Sequence, residues 1–224
     1  SFLSEDEYLQ IKGAVGNLWR IRWALHTITG RKEDRLLFDH QRTLAHLFGF
    51  NSDDLKRNVE RFMQGYYQSV AAIQQLNDML LQHFEESFLD LDENANIIVI
   101  NERFQTFNGQ LEIRDPSTFS TTPSSMLEIY VILGTLEETK GMRASTMRAL
   151  RDNLDRIDDE FRNSPINTAL FMDIIASPYN LTSLLRSMKH IGLLGRYLPE
   201  FGAIIGQMQH DLFHIYTVDA HTLQ

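Results

Sequence analysis

The side chains best able to do chemistry crowd the carboxyl end. His210, His214 and His221 are three of the chain's eight histidines, and they share the last 15 residues with Asp211 and Asp219. Imidazole and carboxylate at that density are what a metal centre or a proton-transfer site requires. Three arrangements are open. His210-Asp211 reads as a metal-binding dyad. His210 and His214, one helical turn apart, read as a zinc pair on one face. Neither comes with the glutamate of an H-E-x-x-H helix, and a metal needs three or four ligands. In the third arrangement Tyr216-Thr-Val-Asp219-x-His221-Thr leads into a following domain, and His210 and His214 pack or cap. A stand-alone metallohydrolase would draw on His210, Asp211, His214, Asp219 and His221 together.

Two other clusters invite a chemical reading. Arg20, Arg22 and His26 lie in an amino-terminal helical pattern, and Arg22 falls close to its apolar stripe. A guanidinium there is costly unless paired, and Glu33, Asp34 and Asp39 follow as partners. The expectation is a structural ion-pair network of Arg20, Arg22, His26, Asp34 and Asp39 joining two helices, with a ligand-binding cluster as the alternative. Farther on, Asp90-x-Asp92 has the spacing of a nucleotidyltransferase carboxylate pair, but no Gly-Ser phosphate-binding turn precedes it. As a calcium loop, Asp90, Asp92 and Asn94 fit, whereas Ala95 stands where glycine is needed and Asn101 replaces the closing glutamate. A solvated loop is the expectation.

Composition narrows the classes. With 43% hydrophobic residues in 224, the chain can bury one sizeable core or two small ones. A net charge of −9 argues against nucleic acid, because phosphate neutralisation needs a basic face. No apolar run reaches the ~18–20 residues of a membrane span. The absence of cysteine leaves no disulfide or thiol chemistry and fits a reducing cytoplasm. Ser1 in place of methionine, and a terminal motif that stops one residue short of the end, suggest cuts inside a longer protein.

The elements that must position these residues are mostly helices. Ser4-Glu-Asp-Glu7 is a capping box. Tyr8, Ile11, Val15, Leu18 and Leu25, widened by Trp19 and Trp23, form a stripe ending at Gly30. A short helix spans about Phe38 to Phe48. Asn51 or Ser52 caps the longest one, a spine over about 52–88, whose Leu55, Val59, Phe62, Tyr66, Val70, Ile73, Leu80 and Phe84 share a face. At ~1.5 Å per residue it spans roughly 50 Å. Ile97–Ile100 and Phe104–Ile113 are the β signal, folded about Asn108-Gly109 into a small hairpin insertion over about 97–114. Ser125-Met-Leu-Glu128 is a second capping box, opening a helix toward Leu136. A further helix is expected from Gly141 to about Phe161, with Asp155, Asp158, Asp159 and Glu160 as a solvated acidic face. Helices from Pro165 to Ile175 and Leu181 to Ile191, then short glycine-punctuated ones, complete a mainly α, multi-helix fold.

Several of these segments resemble one family in order and spacing. Leu18-Trp-Arg-Ile-Arg22-x-x-Leu-His26 with Gly30-Arg-x-x-x-Arg35-Leu-Leu-Phe-Asp39 is similar to the central helical region of the bifunctional uridylyltransferase/uridylyl-removing enzymes of PII nitrogen signalling. Met63-Gln-Gly-Tyr-Tyr67, Leu76-Asn-Asp-Met-Leu-Leu-Gln-His83, Phe104-Gln, Ile113-Arg-Asp115, Gly141-Met-Arg-Ala-Ser-Thr-Met-Arg148 and Gly195-x-Tyr-x-Pro199 extend the likeness. Asp211-Leu-Phe-His-Ile-Tyr-Thr-Val-Asp-x-His-Thr222 resembles the junction where that family's HD phosphohydrolase domain begins. The resemblance implies residues 1–205 as the central region and 206–224 as the junction and first residues of an HD domain. It makes His221 the first histidine of the HD metal set, the rest lying beyond Gln224, and His210-Asp211 a decoy. It further implies a parent enzyme that attaches UMP to the PII protein when glutamine is low and removes it when glutamine is high. In that family, transfer uses an N-terminal nucleotidyltransferase domain with Mg and UTP, and C-terminal ACT domains sense glutamine. The piece itself is then expected to hold no complete active site and no cofactor, and to serve as a scaffold between catalytic domains. A helical interaction module with no enzyme attached remains the other alternative.

Overall fold

The computed structural model describes residues 5–89, 96–136, 140–209 and 216–224. Helices dominate, with one small antiparallel sheet, so the expected fold class holds. The contacts divide the chain into two units, residues 1–77 with 203–224, and residues 78–202. No helix of the described residues is long and apolar enough to cross a membrane.

In the first unit, α1 (Glu5–Thr29) ends where Gly30 turns into the left-handed region at φ 65°, which glycine enters without a Cβ clash. α2 (Phe38–Leu47) follows, and α3 (Leu55–Leu89) begins in this unit and continues into the second. Ile21, Ala24, Leu25, Leu44, Ala45, Val59, Phe62, Met63 and Met208 make the core, with Phe48 and Phe50 set against the Phe62 ring at 5.4 and 6.3 Å. Each of the larger of these side chains withdrawn from water contributes on the order of 1.5–3 kcal/mol.

Two expectations change here. The inward face of α1 is Ala14, Ile21, Ala24 and Leu25 with Glu7; of the expected stripe Leu25 is buried and Ile11, Val15 and Leu18 are half-buried, whereas Tyr8, Trp19 and Trp23 are 55, 61 and 71% exposed. Small alanines let the helix approach its neighbours closely, so the bulkiest apolar residues are not the ones buried. The cap of α3 is Asp54, whose Oδ1 accepts the Arg57 amide at 3.0 Å. Ser52 is occupied instead by Asn58, which exchanges hydrogen bonds with its amide, carbonyl and hydroxyl.

The second unit opens with the sheet. β1 (Ile97–Val99), β2 (Phe104–Phe107) and β3 (Gln110–Ile113) pair antiparallel in that order, with Phe104 opposite Ile113 and Thr106 opposite Leu111. The expected hairpin is therefore the inner part of a three-stranded sheet. Asn108 and Gly109, at φ 51° and 85°, supply the two left-handed positions of its tight turn. Phe104 and Leu111 alternate inward and are fully buried. The segment around Met142 extends β3: Leu111 donates to the Gly141 carbonyl and accepts from the Arg143 amide.

α4 (Thr118–Thr121) runs directly into α5 (Ser125–Thr135), the most buried helix of the unit, with Met126, Leu127, Ile129 and Tyr130 all inaccessible. The expected Ser125–Glu128 capping box does not form. The preceding turn already offers carbonyls of Thr122, Pro123 and Ser124 to the first amides of α5. Ser125 donates its hydroxyl to Thr122, and Glu128 turns to Arg103 instead.

The helix expected from Gly141 to Phe161 is broken. α6 (Ala144–Arg151) stops, a 3-10 turn covers Leu154–Arg156, and α7 (Asp159–Asn163) restarts. Asn153 bonds back to the Ala149 carbonyl, and Asp158 leaves helical geometry to accept the Phe161 amide as an N-cap. Asp155, Asp158, Asp159 and Glu160 are exposed, with Asp159 paired to Arg162. α8 (Pro165–Ile175), α9 (Leu181–Ile191), α10 (Leu193–Tyr197) and α11 (Pro199–Ile204) complete the unit, the last crossing into the first unit, where α12 (Val218–Thr222) also lies.

Candidate functional site

The amino-terminal cluster assembles at the end of α1. Arg22 grips Asp34 with two hydrogen bonds, Nε to Oδ1 at 2.8 Å and Nη2 to Oδ2 at 3.2 Å. The His26 ring lies 3.3 Å from the same Oδ1. The Arg22 guanidinium, and after it His26, hold the Asp34 carboxyl below the usual aspartate range. Arg22 is itself 46% exposed, because it points away from the buried face of α1. Arg20 instead lies over the Phe48 ring at 5.6 Å, and Asp39 stands exposed in the first turn of α2. The structure thus brings together Arg22, His26 and Asp34, and leaves Arg20 and Asp39 outside.

Beside it, Glu33 organises the loop between α1 and α2. Its buried carboxylate accepts the Arg35 amide and Nε, both at 3.0 Å, and Nη2 of Arg31 at 3.0 Å. Chiefly through the Arg35 side chain, its pKa falls from 4.5 to about 2. The arrangement fixes a loop; both arginines remain solvated on their outer sides.

At the carboxyl end, His210, Asp211 and His214 lie outside the described residues, as do Asp90, Asp92, Asn94 and Ala95. Asp219 is buried, and its Oδ1 accepts the Gly206 amide at 3.0 Å, which ties α12 to the preceding turn. His221 is exposed on α12. Among the described residues no three His, Asp or Glu side chains gather closely enough to hold a metal, so His221 supplies one imidazole and no set. Asn101 is a turn residue: its Oδ1 accepts the amides of Arg103 and Phe104.

A third cluster has no counterpart in the sequence reading. Arg143, one residue ahead of α6, is 10% exposed and reaches between two carboxylates, with Nε 3.5 Å from Glu112 and 3.8 Å from Glu86. Its guanidinium lies 4.4 Å from the centroid of Phe107. Glu86 Oε1 accepts the first amide of α6, from Ala144, at 2.8 Å, and also the Gln82 amide. A carboxylate there both neutralises Arg143 and meets the positive end of a helix. Nearby, a cavity of about 730 Å³ opens among Asp78, Gln82, Lys140, Asn180, Ser183 and Ser187. Glu86, Glu112 and Arg143 are far apart in the chain, and no spacing rule joins them. Only the Gly141–Arg148 segment that holds Arg143 carried a signal.

The fold and its clusters define a mainly helical protein whose described charge clusters are structural ion pairs. A model of the "Uridylyltransferase GlnD third domain" matches residues 104–197, and one of "GlnD PII-uridylyltransferase" matches residues 1–81. The chain belongs to this family of bifunctional uridylyltransferase/uridylyl-removing enzymes. The enzyme so named from Pseudomonas aeruginosa (strain LESB58) is 53% identical over 222 residues, 99% of this chain and 25% of that protein. Those of Pseudomonas fluorescens (strain SBW25) and Azotobacter vinelandii (strain DJ) are each 51% identical over the same span. The chain therefore spans about a quarter of the length of the curated relatives it matches. No solved structure matches.

Proposed function

We propose that this chain is the central helical region of an enzyme that uridylylates the PII signal protein and removes the UMP again in glutamine sensing. The observation that carries the reading is the near-complete match of 222 residues at 53% identity to a protein four times as long. On this reading residues 1–205 form a scaffold between a nucleotidyltransferase domain and an HD domain, and residues 206–224 lead into the latter. His221 is then the first ligand of the HD metal set, completed by residues outside the chain. Mg and UTP serve the transferase domain, PII docks on the assembled enzyme, and the protein works in the cytoplasm.

The arrangement of charges supports a positioning role. Glu33, Asp34, Glu86 and Glu112 are each engaged by arginines that fix loops or sheet edges, which is how carboxylates behave in a framework. The test compares the full-length polypeptide with the 224-residue chain, using UTP, Mg and PII. UMP transfer and release by the long form, and neither by the short one, is the expected result. Either activity in the chain alone would overturn the scaffold reading. So would stoichiometric metal bound by the chain alone and lost on His214→Ala, which would favour a self-contained metallohydrolase.

A further inference from the structure

α1 has two apolar faces, and only one is used within its unit. Ala14, Ile21, Ala24 and Leu25 pack inward. Tyr8, Lys12, Trp19 and Trp23 follow one another at steps of four, seven and four residues, which stay on one side of a helix of 3.6 residues per turn. All four are exposed, the two tryptophans by 61 and 71%, and they are the only tryptophans in the chain. Arg22 lies over the Trp19 ring at 5.4 Å, a cation set against the aromatic stripe. Tryptophan and arginine are the residues that dominate the centres of protein interfaces.

One feature says what kind of surface covers this face. Gly16 lies on it, between Lys12 and Trp19, and a Cβ there would meet nothing within 4 Å. Glycine inside a helix weakens it relative to alanine, and nothing described in this unit uses its small size. A second helix laid across the stripe would, because a missing side chain lets another backbone approach.

We propose that this face docks an amphipathic helix belonging to the part of the longer polypeptide outside these 224 residues. The proposal rests on the reading given under Proposed function, in which about three quarters of the enzyme lies elsewhere. A covering segment in the same polypeptide is held at high effective concentration, and so keeps two tryptophans permanently out of water.

Hydroxyl-radical footprinting read by mass spectrometry tests it, on the 224-residue chain and on the full-length polypeptide. Trp19 and Trp23 should oxidise rapidly in the chain alone and about tenfold more slowly in the long form. In the long form, Gly16→Leu should restore oxidation several-fold, while leaving the unfolding midpoint of the short chain unlowered. Equal oxidation of both forms would overturn the proposal. Protection that arrives only when PII is added would also overturn it, in favour of a partner in trans. Protection of the short chain that grows with its concentration would do the same in favour of a second copy. Loss of UMP transfer with protection intact would fault the functional reading and leave the docking face standing.

Discussion

Arg143→Met tests how far one buried cation holds the second unit together. The native guanidinium lies 3.5 Å from Glu112, 3.8 Å from Glu86 and 4.4 Å from the Phe107 centroid, in a side chain only 10% exposed. Methionine fills much of the stem volume but leaves two carboxylates, 5 and 16% exposed, without the charge set between them. Removing one member of a buried ion pair costs about 3–5 kcal/mol, chiefly the penalty of the charge left behind. For a unit covering residues 78–202, 1 kcal/mol corresponds to about 3–5 °C, so its melting temperature should fall by roughly 10–20 °C. Glu86→Gln should cost less, about 1–3 kcal/mol, because the amide oxygen still accepts from Ala144 and Arg143 keeps Glu112. The double variant should fall short of the sum by about 1–3 kcal/mol, since the uncompensated charge is then smaller. Urea unfolding followed by circular dichroism gives the energies. Hydrogen exchange at the Leu111 and Ala144 amides assigns the loss to this unit. A cost for Arg143→Met below about 1 kcal/mol, or strict additivity with Glu86→Gln, would refute the reasoning.

Three further outcomes follow from the same packing. Glu33 has its native pKa lowered to about 2 from 4.5, so its contribution is complete above pH 4.5 and is lost as pH falls toward 2. Urea midpoints between pH 2 and 6 should therefore drop more steeply for the native chain than for Glu33→Gln. Gly202→Ala would place a Cβ 2.6 Å from the Gly195 carbonyl oxygen and should cost about 1–3 kcal/mol, whereas Gly16→Ala should stabilise by up to about 1 kcal/mol; thermal melts compare them. Burial pushes the Tyr130 phenol well above its usual 10, against the opposing 3.3 Å contact with Ser187. Its contribution is present below pH 10 and lost as pH rises, so phenolate absorbance from Tyr130 should appear only with unfolding, and Tyr130→Phe should cost about 0.5–1.5 kcal/mol.

What was legible in the sequence depended on how far apart the interacting groups lie. Helical periodicity identified α2, α3, α8 and α9 nearly to their ends, and Asn108-Gly109 marked the turn between β2 and β3, because each is set by neighbours a few residues away. Arg22 and Asp34 are 12 residues apart across one turn, close enough for a costly guanidinium to point to its partner. The Glu86–Arg143 pair is separated by 57 residues, and nothing local to either one announces the other. Local signals failed where tertiary packing answered the same need first. Ser125 and Glu128 have the capping pattern, yet the turn of Thr122, Pro123 and Ser124 already supplies the carbonyls, which frees Glu128 for Arg103. Asp158 shows the converse: counted as one charge on a long helix, it ended that helix by taking the Phe161 amide.

The outward turn of Tyr8, Trp19 and Trp23 on α1 follows a different logic. With apolar residues on both sides, periodicity establishes that a helix forms but does not choose which side turns inward. Within this unit the choice falls to the side that packs most closely, Ala14, Ile21, Ala24 and Leu25, at the expense of the side with the larger rings. A sequence selected only for this unit would have no use for tryptophan at 19 and 23 or for an unfilled glycine at 16. The misread face is therefore informative. A helix whose apolar residues overfill its own core carries in its sequence the demands of a second interface, and the tryptophans exposed here are where that interface is to be sought.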